Sequence, residues 1–288
     1  NHEPYIRQAI EGVMMQKTDF AYELVIGEDC STDKTREICF EYQKRYPDKI
    51  RVLWSEQNLY RNPHPAGANG RRTMAHCRGE FIAFCEGDDY WIDPLKLQKQ
   101  VDIMRKYPNV GFCFCGAEIY QQDTGLMSKW DSEAKGFSPG LITSTKYMLW
   151  TMFGKSPLEG MGVEVWQMTT TFMARRKLLE LAIKTFEIWS WRLSVADATT
   201  CLSCGAQGDV YYIEDVVAVY RKTSSGVTIA SAGKCDLDTL IVRIYFAKQV
   251  FKIEYEELPD RFIDTLINAA LRYGRSRENA YSWQRQWL

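Results

Sequence analysis

Histidine is scarce in this chain and net charge is almost absent. Its 288 residues carry three histidines (His2, His64 and His76), 36 Lys and Arg against 37 Asp and Glu, and a formal charge of −1. So even a balance gives no global field to steer the protein onto nucleic acid or an anionic membrane. No apolar run approaches the roughly 18 residues that a spanning helix needs. The opening residues, NHEPYIRQAI, lack the basic-then-apolar pattern of a secretory signal. Internal repeats and low-complexity tracts are missing as well. These absences set the expectation of a cytoplasmic globular protein, and 45% hydrophobic residues argue against disorder. A chain this long can bury one substantial core, as a single large domain or as a domain with an appendage.

Cysteine is not scarce, but its pattern excludes the usual uses. The nine are Cys30, Cys39, Cys77, Cys85, Cys113, Cys115, Cys201, Cys204 and Cys235, odd in number and scattered. Cys201 and Cys204 have zinc-like spacing, yet no second pair or histidine pair accompanies them. The expectation is buried, reduced thiols rather than a metal centre or a disulfide framework.

What the sequence does contain is alternation. EPYIRQAIEGVMMQ places Ile6, Ile10, Val13 and Met14 on one helical face. YELVIGED reads as a short strand ending in two acids. CSTDKTREICFEYQKRY follows as an amphipathic helix with Ser31, Thr32 and Asp33 as N-cap candidates. KIRVLWSE is a second strand, NLYRNPHPAGANG a loop, RRTMAHCRG a helix and EFIAFCEGDD a third strand. PLKLQKQVDIMRKY then starts a helix at Pro94, with Leu97, Val101 and Met104 turned inward. Such spacing predicts a mostly parallel sheet with helices on both faces, whose ligands bind beyond the carboxyl ends of the strands. From about residue 229 the pattern is helical again.

Two acidic clusters fall at those strand ends: Glu28–Asp29, and Glu86, Asp88 and Asp89 within CEGDDYW. Packing three carboxylates into four positions is costly unless a cation neutralises them. A hard divalent cation takes oxygen ligands and completes its shell with water and phosphate oxygens. The competing reading is an Asp-rich turn, with Asp89 or Asp93 capping the helix at Pro94. Spacing alone leaves both open.

Three motifs decide between them by resemblance. GEDCSTDKT (27–35), RGEFIAFCEGDDYWIDPLKLQKQ (78–100) and YYIEDVVAVYR (211–221) occur in an order that resembles family 2 glycosyltransferases. The resemblance implies an α/β GT-A (Rossmann-like) fold, a mostly parallel sheet flanked by helices, over residues 1–228. Within it, 1–110 would form the nucleotide-sugar-binding half and 111–228 the acceptor-binding half, with 229–288 as a C-terminal helical segment. It further implies a nucleotide-diphosphate sugar (a UDP-sugar), a divalent cation (Mn2+ or Mg2+), and inverting transfer to the hydroxyl of a glycan or lipid-linked acceptor in surface polysaccharide synthesis. Carried onto this chain, Asp29 would bind the nucleobase with Glu28 beside it. Asp88 would meet ribose and metal, Asp89 metal and diphosphate, and Glu86 stands where an Asp is usual. Arg72, with Arg71 as its competitor, would contact base or phosphate.

Inversion needs a base for the acceptor proton. Asp197, in SVADATTCL, matches that role by resemblance; a simple N-cap is its competitor, and Glu164 is the reserve. Trp189 and Trp191 are candidates to line the acceptor site, while Trp130, Trp150 and Trp166 read as core. Thr169–Thr171 read as β-strand residues or as hydroxyls near the donor. Arg175–Arg176 read as a solvated strand end. Two departures stand out. Lys222 and Thr223 occupy a stretch where similar enzymes carry a histidine, which leaves Arg221 or Lys222 to face the diphosphate. The chain also begins just after the place where an apolar first strand is expected, so an upstream strand is expected too. The rival functions are a nucleotidyltransferase and a non-catalytic nucleotide-sugar-binding subunit. The C-terminal helices could pack on the domain, pair with a second copy or lie against a membrane.

Overall fold

A computed structural model of the chain describes residues 1–59, 67–130, 138–153, 168–187, 196–223 and Val242. The first helix, α1 (Ile6–Met14), buries Ile6, Ile10 and Val13 as their spacing predicts. Strand β1 (Leu24–Glu28), helix α2 (Thr35–Arg45) and strand β2 (Ile50–Trp54) form a βαβ unit, with β1 and β2 parallel and paired from Leu24–Ile50 to Glu28–Trp54. The cap residue of α2 is Lys34, and the capping hydrogen bond comes from one residue earlier: Asp33 Oδ1 accepts from the Thr35 amide at 3.0 Å.

Helix α3 (Ala68–Ala75) begins inside the stretch expected to be loop. Tertiary packing overrides the poor propensity of Asn69 and Gly70 there. Asn69 Nδ2 donates to the Gly27 carbonyl at 2.7 Å, so the helix is pinned to the end of β1. Gly27 permits that approach, since a Cβ there would sit 2.0 Å from Thr73 Oγ1.

Among the described residues the larger sheet has seven strands. Its main order is β3 (Phe81–Ala83), β8 (Met173–Arg175), β5 (Val110–Gln121), β9 (Asp209–Lys222), β4 (Tyr90–Trp91), with β6 (Leu126–Lys129) on β5 and β7 (Gly140–Ile142) on β9. Pairing is parallel between β5 and β9 and antiparallel at β3–β8, β5–β8, β4–β9, β5–β6 and β7–β9. The sheet is therefore mixed, where strand–helix alternation in the first third predicts mostly parallel. That alternation stops at β5, which turns directly into β6 through a tight turn with Gly125 at φ 69°, a connection open only to antiparallel neighbours.

Helices α4 (Lys96–Lys106), α5 (Ser144–Phe153), α6 (Arg176–Glu187) and α7 (Ala196–Gln207) complete the described elements. Strand β5 is buried on both faces and splits its side chains by the period of two. Phe112 and Phe114 pack with Tyr147, Phe172, Leu202 and Tyr212, while Cys113 and Cys115 pack with Val101, Met104 and Val217. The eight cysteines within the described residues are unpaired, as expected for reduced thiols. Trp130 is core material, 4% exposed.

The β1–β2 pair makes no ladder with the larger sheet. Between them runs a cavity of about 1550 Å³, walled by Leu24 and Ile26 on one side and Phe81 and Ala83 on the other, and reaching the strand ends at Asp29, Glu86 and Asp88. Among the described residues no helix is long and apolar enough to cross a membrane.

Candidate active site

The acidic loop is shorter in strand and longer in turn than the sequence suggests. Strand β3 ends at Ala83, and the chain then bends so that the Asp89 amide donates to the Glu86 carbonyl at 3.1 Å. Gly87 lies close against His2 within this bend: a Cβ there would lie 2.8 Å from His2 Nδ1, so the imidazole would have to shift. Pairing of β4 with β9 closes the loop on its far side. Asp89 serves the loop and not the helix that follows; the hydrogen bond to the Leu95 amide comes from Asp93 Oδ1 at 2.8 Å.

Burial strains the carboxylates. Burial pushes the Glu86 carboxyl up to about 7, and the charges of Asp88 and Asp197 add to the effect. Burial, then Glu86, pushes Asp89 up to about 9, opposed by the Arg221 amide. Asp89 Oδ1 accepts from that amide at 2.8 Å, but Asp89 Oδ2 and Glu86 Oε2 are buried without a hydrogen-bond partner. Buried acceptors left this way cost free energy that a proton or a cation can offset.

A divalent cation fits this pair. Among the described residues no three His, Cys, Asp or Glu side chains gather into a complete metal cage. Two orphaned carboxylate oxygens beside a cavity match instead a cation that takes one or two protein oxygens and fills its shell with water and phosphate. Behind the loop, fully buried Lys96 lies 4.0 Å over the Trp91 ring and donates to Gln100 Oε1 at 2.8 Å. Burial pulls its ammonium down to about 8, and nearby Glu86 works against that pull.

The residues named from sequence divide by what holds them. Glu28, Asp29, Glu86, Asp88, Asp89 and Asp197 all face the same cavity. Asp197 stands in the first turn of α7, exposed, and close enough for its charge to act on Glu86. Glu28 is occupied inside the fold: Oε2 pairs with Arg36 Nε at 2.6 Å and Oε1 accepts from the Ser31 amide at 2.6 Å. Asp29 Oδ1 accepts from the Leu59 amide at 2.7 Å, and Cys30 after it takes a left-handed φ of 59°. Arg72 caps strand ends, donating to the carbonyls of Leu53, Glu28 and Trp54 at 2.7, 3.2 and 3.1 Å and to Asn69 Oδ1 at 2.8 Å. Trp189, Trp191, Glu164 and residues 229–241 and 243–288 lie outside the described residues.

Three features escaped sequence reasoning. Thr169–Thr171 form a 3₁₀ turn rather than a strand, and Thr169 lines the cavity beside Glu86. That turn is fixed from below by Trp91 Nε1 on the Thr170 carbonyl at 2.9 Å and Gln100 Nε2 on the Thr171 carbonyl at 2.8 Å. His2 packs against Gly87, where burial lowers its proton affinity and Asp88 raises it. Arg175 is half-buried rather than a fully solvated strand end; Nε and Nη2 donate to the Val110 and Met104 carbonyls at 2.9 and 2.6 Å.

Comparison with known proteins supplies the class. The family model described as glycosyl transferase family 2 matches residues 1–179. The chain belongs to that family. An uncharacterized protein of Mycobacterium tuberculosis is 41% identical over 123 residues, which is 43% of this chain and 34% of that protein. TuaG of Bacillus subtilis, a putative teichuronic acid biosynthesis glycosyltransferase, is 30% identical over 129 residues, 45% of this chain and 48% of TuaG. WfgD of Escherichia coli, a UDP-Glc:alpha-D-GlcNAc-diphosphoundecaprenol beta-1,3-glucosyltransferase, is 32% identical over 126 residues, 43% of this chain and 45% of WfgD. The chain thus spans from a third to a half of these relatives' lengths. Among solved structures, S. aureus TarS 1–349 superposes with a TM-score of 0.56 at 18% identity, over 94% of this chain and 77% of that one. The TarS fold is shared, and with it the GT-A architecture that the motifs imply.

Proposed function

We propose that the protein is a metal-dependent, inverting glycosyltransferase that moves a sugar from a nucleotide-diphosphate donor, a UDP-sugar, to an acceptor hydroxyl in surface polysaccharide or glycan synthesis. The observation that carries this reading is the pair of orphaned oxygens, Glu86 Oε2 and Asp89 Oδ2, on a cavity that Asp197 also faces. The relatives TuaG and WfgD are named for such transfers, and TarS has been solved in complex with UDP (TM-score 0.53, 15% identity, 94% of this chain and 80% of that one).

In this reading Asp29, at the end of β1, binds the nucleobase edge, and the Glu28–Arg36 pair and Arg72 hold the backbone around it. Asp88 and Asp89, with Glu86 beneath them, hold the cation and with it the diphosphate. When bound, a divalent cation supplies Lewis-acid stabilisation of the negative charge on the departing phosphate. Asp197 accepts the acceptor hydroxyl's proton as that oxygen attacks the anomeric carbon from the face opposite the leaving group. A glycan or lipid-linked acceptor enters on the Asp197 side.

A thermal-shift screen of nucleotide sugars with Mn2+ or Mg2+ tests this. One nucleotide class should stabilise the protein only with metal present, by about 2.7 kcal/mol at one hundred times its dissociation constant. Equal stabilisation with and without metal would count against the reading of the 86–89 loop.

A further inference from the structure

Arg221, near the end of β9, is one of two cations that the sequence offers to the diphosphate. Its contacts turn it to another task. Nε donates to the Asp88 backbone carbonyl at 2.8 Å, Nη1 to Gln122 Oε1 at 2.6 Å and Nη2 to Gln8 Oε1 at 2.7 Å. The guanidinium carbon lies 4.8, 5.3 and 5.4 Å from the ring centroids of Tyr5, Tyr90 and Tyr120. Only 9% of the residue is exposed. Meanwhile its backbone amide donates to Asp89 Oδ1. One residue therefore grips the main chain of Asp88 and the carboxylate of Asp89 together.

We infer that Arg221 is a positioning residue for the acidic loop: caged by three tyrosines and clamped by two glutamines, it fixes the Asp88 carbonyl and so sets where the Asp88 and Asp89 carboxylates stand. The loop needs such an anchor. Three carboxylates in four positions repel one another, and the loop's own Asp89-to-Glu86 backbone bond spans only its bend. Because Oδ1 of Asp89 is held, Oδ2 is the oxygen left for a ligand. A planar fork with donors in fixed directions meets all three acceptors at once, whereas a lysine ammonium is a point charge on a flexible stem. The cage joins α1 and the turn before it (Gln8, Tyr5), β4 (Tyr90) and the end of β5 (Tyr120), so loop position is tied to residues that do not themselves line the cavity.

The test is Arg221→Lys, read first by amide hydrogen exchange without metal and then by titration with Mn2+ alone followed by electron paramagnetic resonance. Exchange in 86–91 should rise roughly tenfold while β1 and β2 keep their protection. Mn2+ affinity should fall about 10- to 100-fold, the usual cost of losing an outer-shell partner. Exchange in 86–91 within about twofold of wild type would overturn the inference. The metal arm rests on the reading proposed above and the exchange arm does not, so a wild-type protein that binds no Mn2+ removes that reading and leaves exchange to decide on Arg221. If Arg221→Lys fails to fold, the Gln8→Ala/Gln122→Ala pair removes two clamps and leaves the Asp88 bond; the same localised rise supports the inference, and unchanged exchange defeats it.

Discussion

Arg36 Nε donates to Glu28 Oε2 at 2.6 Å, with the Glu28 side chain fully buried and the Arg36 guanidinium 5.3 Å over the Trp54 ring. This carboxylate, expected beside Asp29 at the donor site, is held by Arg36 and the Ser31 amide and so keeps the turn after β1 in shape. Glu28→Ala leaves Arg36 without its partner beside a core strand. Removing one member of a buried pair costs about 3–5 kcal/mol, and Arg36's 30% exposure puts this case near 3. Urea denaturation should show that loss, with a smaller one in Glu28→Gln, whose single amide oxygen keeps one of the two accepted hydrogen bonds.

The Glu86–Asp89 pair should make stability and the proposed metal binding depend on pH in opposite senses. Both carboxyls titrate above their ordinary values of 4.5 and 3.8, Glu86 at about 7 and Asp89 at about 9. Between the ordinary and the raised values the folded state binds more protons than the unfolded state, so stability falls as pH rises through that window. Without metal, the melting temperature should decline from about pH 5 toward pH 9, and Asp89→Asn should flatten much of that decline. Mn2+ competes with those protons, so its stabilising shift should grow over the same range. A metal shift independent of pH would separate the cation from these two carboxylates.

Asp197 is the residue whose loss should divide chemistry from binding. It is exposed in the first turn of α7, so Asp197→Asn should melt within about 1 °C of wild type. Turnover should drop by about 10²- to 10⁴-fold, while donor binding in the thermal-shift screen stays the same. Retained turnover would remove Asp197 as the base.

Gly27 marks the closest approach of α3 to β1. Gly27→Ala places a methyl group 2.0 Å from Thr73 Oγ1 and should cost about 1–3 kcal/mol by overpacking. Thr73→Ala removes that atom and should recover part of the loss in the double variant, leaving the Asn69 Nδ2 contact at 3.0 Å. Additive losses would mean that the helix does not bear on Gly27 through Thr73.

Local pattern made much of the fold legible. The periodicity of Ile6, Ile10 and Val13 reports burial directly, and the apolar run of β1 reports a strand, although Leu24, Val25 and Ile26 are only half-buried beside the cavity. The acidic cluster at 86–89 was legible because three carboxylates at one strand end have few inexpensive explanations. What stayed hidden depends on partners far along the chain. The Asp89 carboxylate and the Arg221 amide are separated by 132 residues, and the Trp91 ring meets the Thr170 carbonyl across 79. Neither pairing leaves a periodic trace. Thr169–Thr171 read equally as strand residues and as hydroxyls near the donor; tertiary hydrogen bonds from Trp91 and Gln100 override the strand propensity, and Thr169 lines the cavity. Arg175 read as solvated because arginine is commonly exposed, yet carbonyls at the ends of α4 and β5 need its donors.

The central claim is that the 86–89 loop holds a cation and a sugar-nucleotide diphosphate while a sugar leaves. Chromatography of products from a panel of UDP-sugars, incubated with Mn2+ and mixed acceptors, measures it most directly. The account predicts release of UDP by wild type, none without metal, and none by Asp89→Ala in a variant that still folds. Release of inorganic diphosphate would point to nucleotidyl transfer instead. Donor binding with no turnover across the panel, or full activity in Asp89→Ala, would contradict the account.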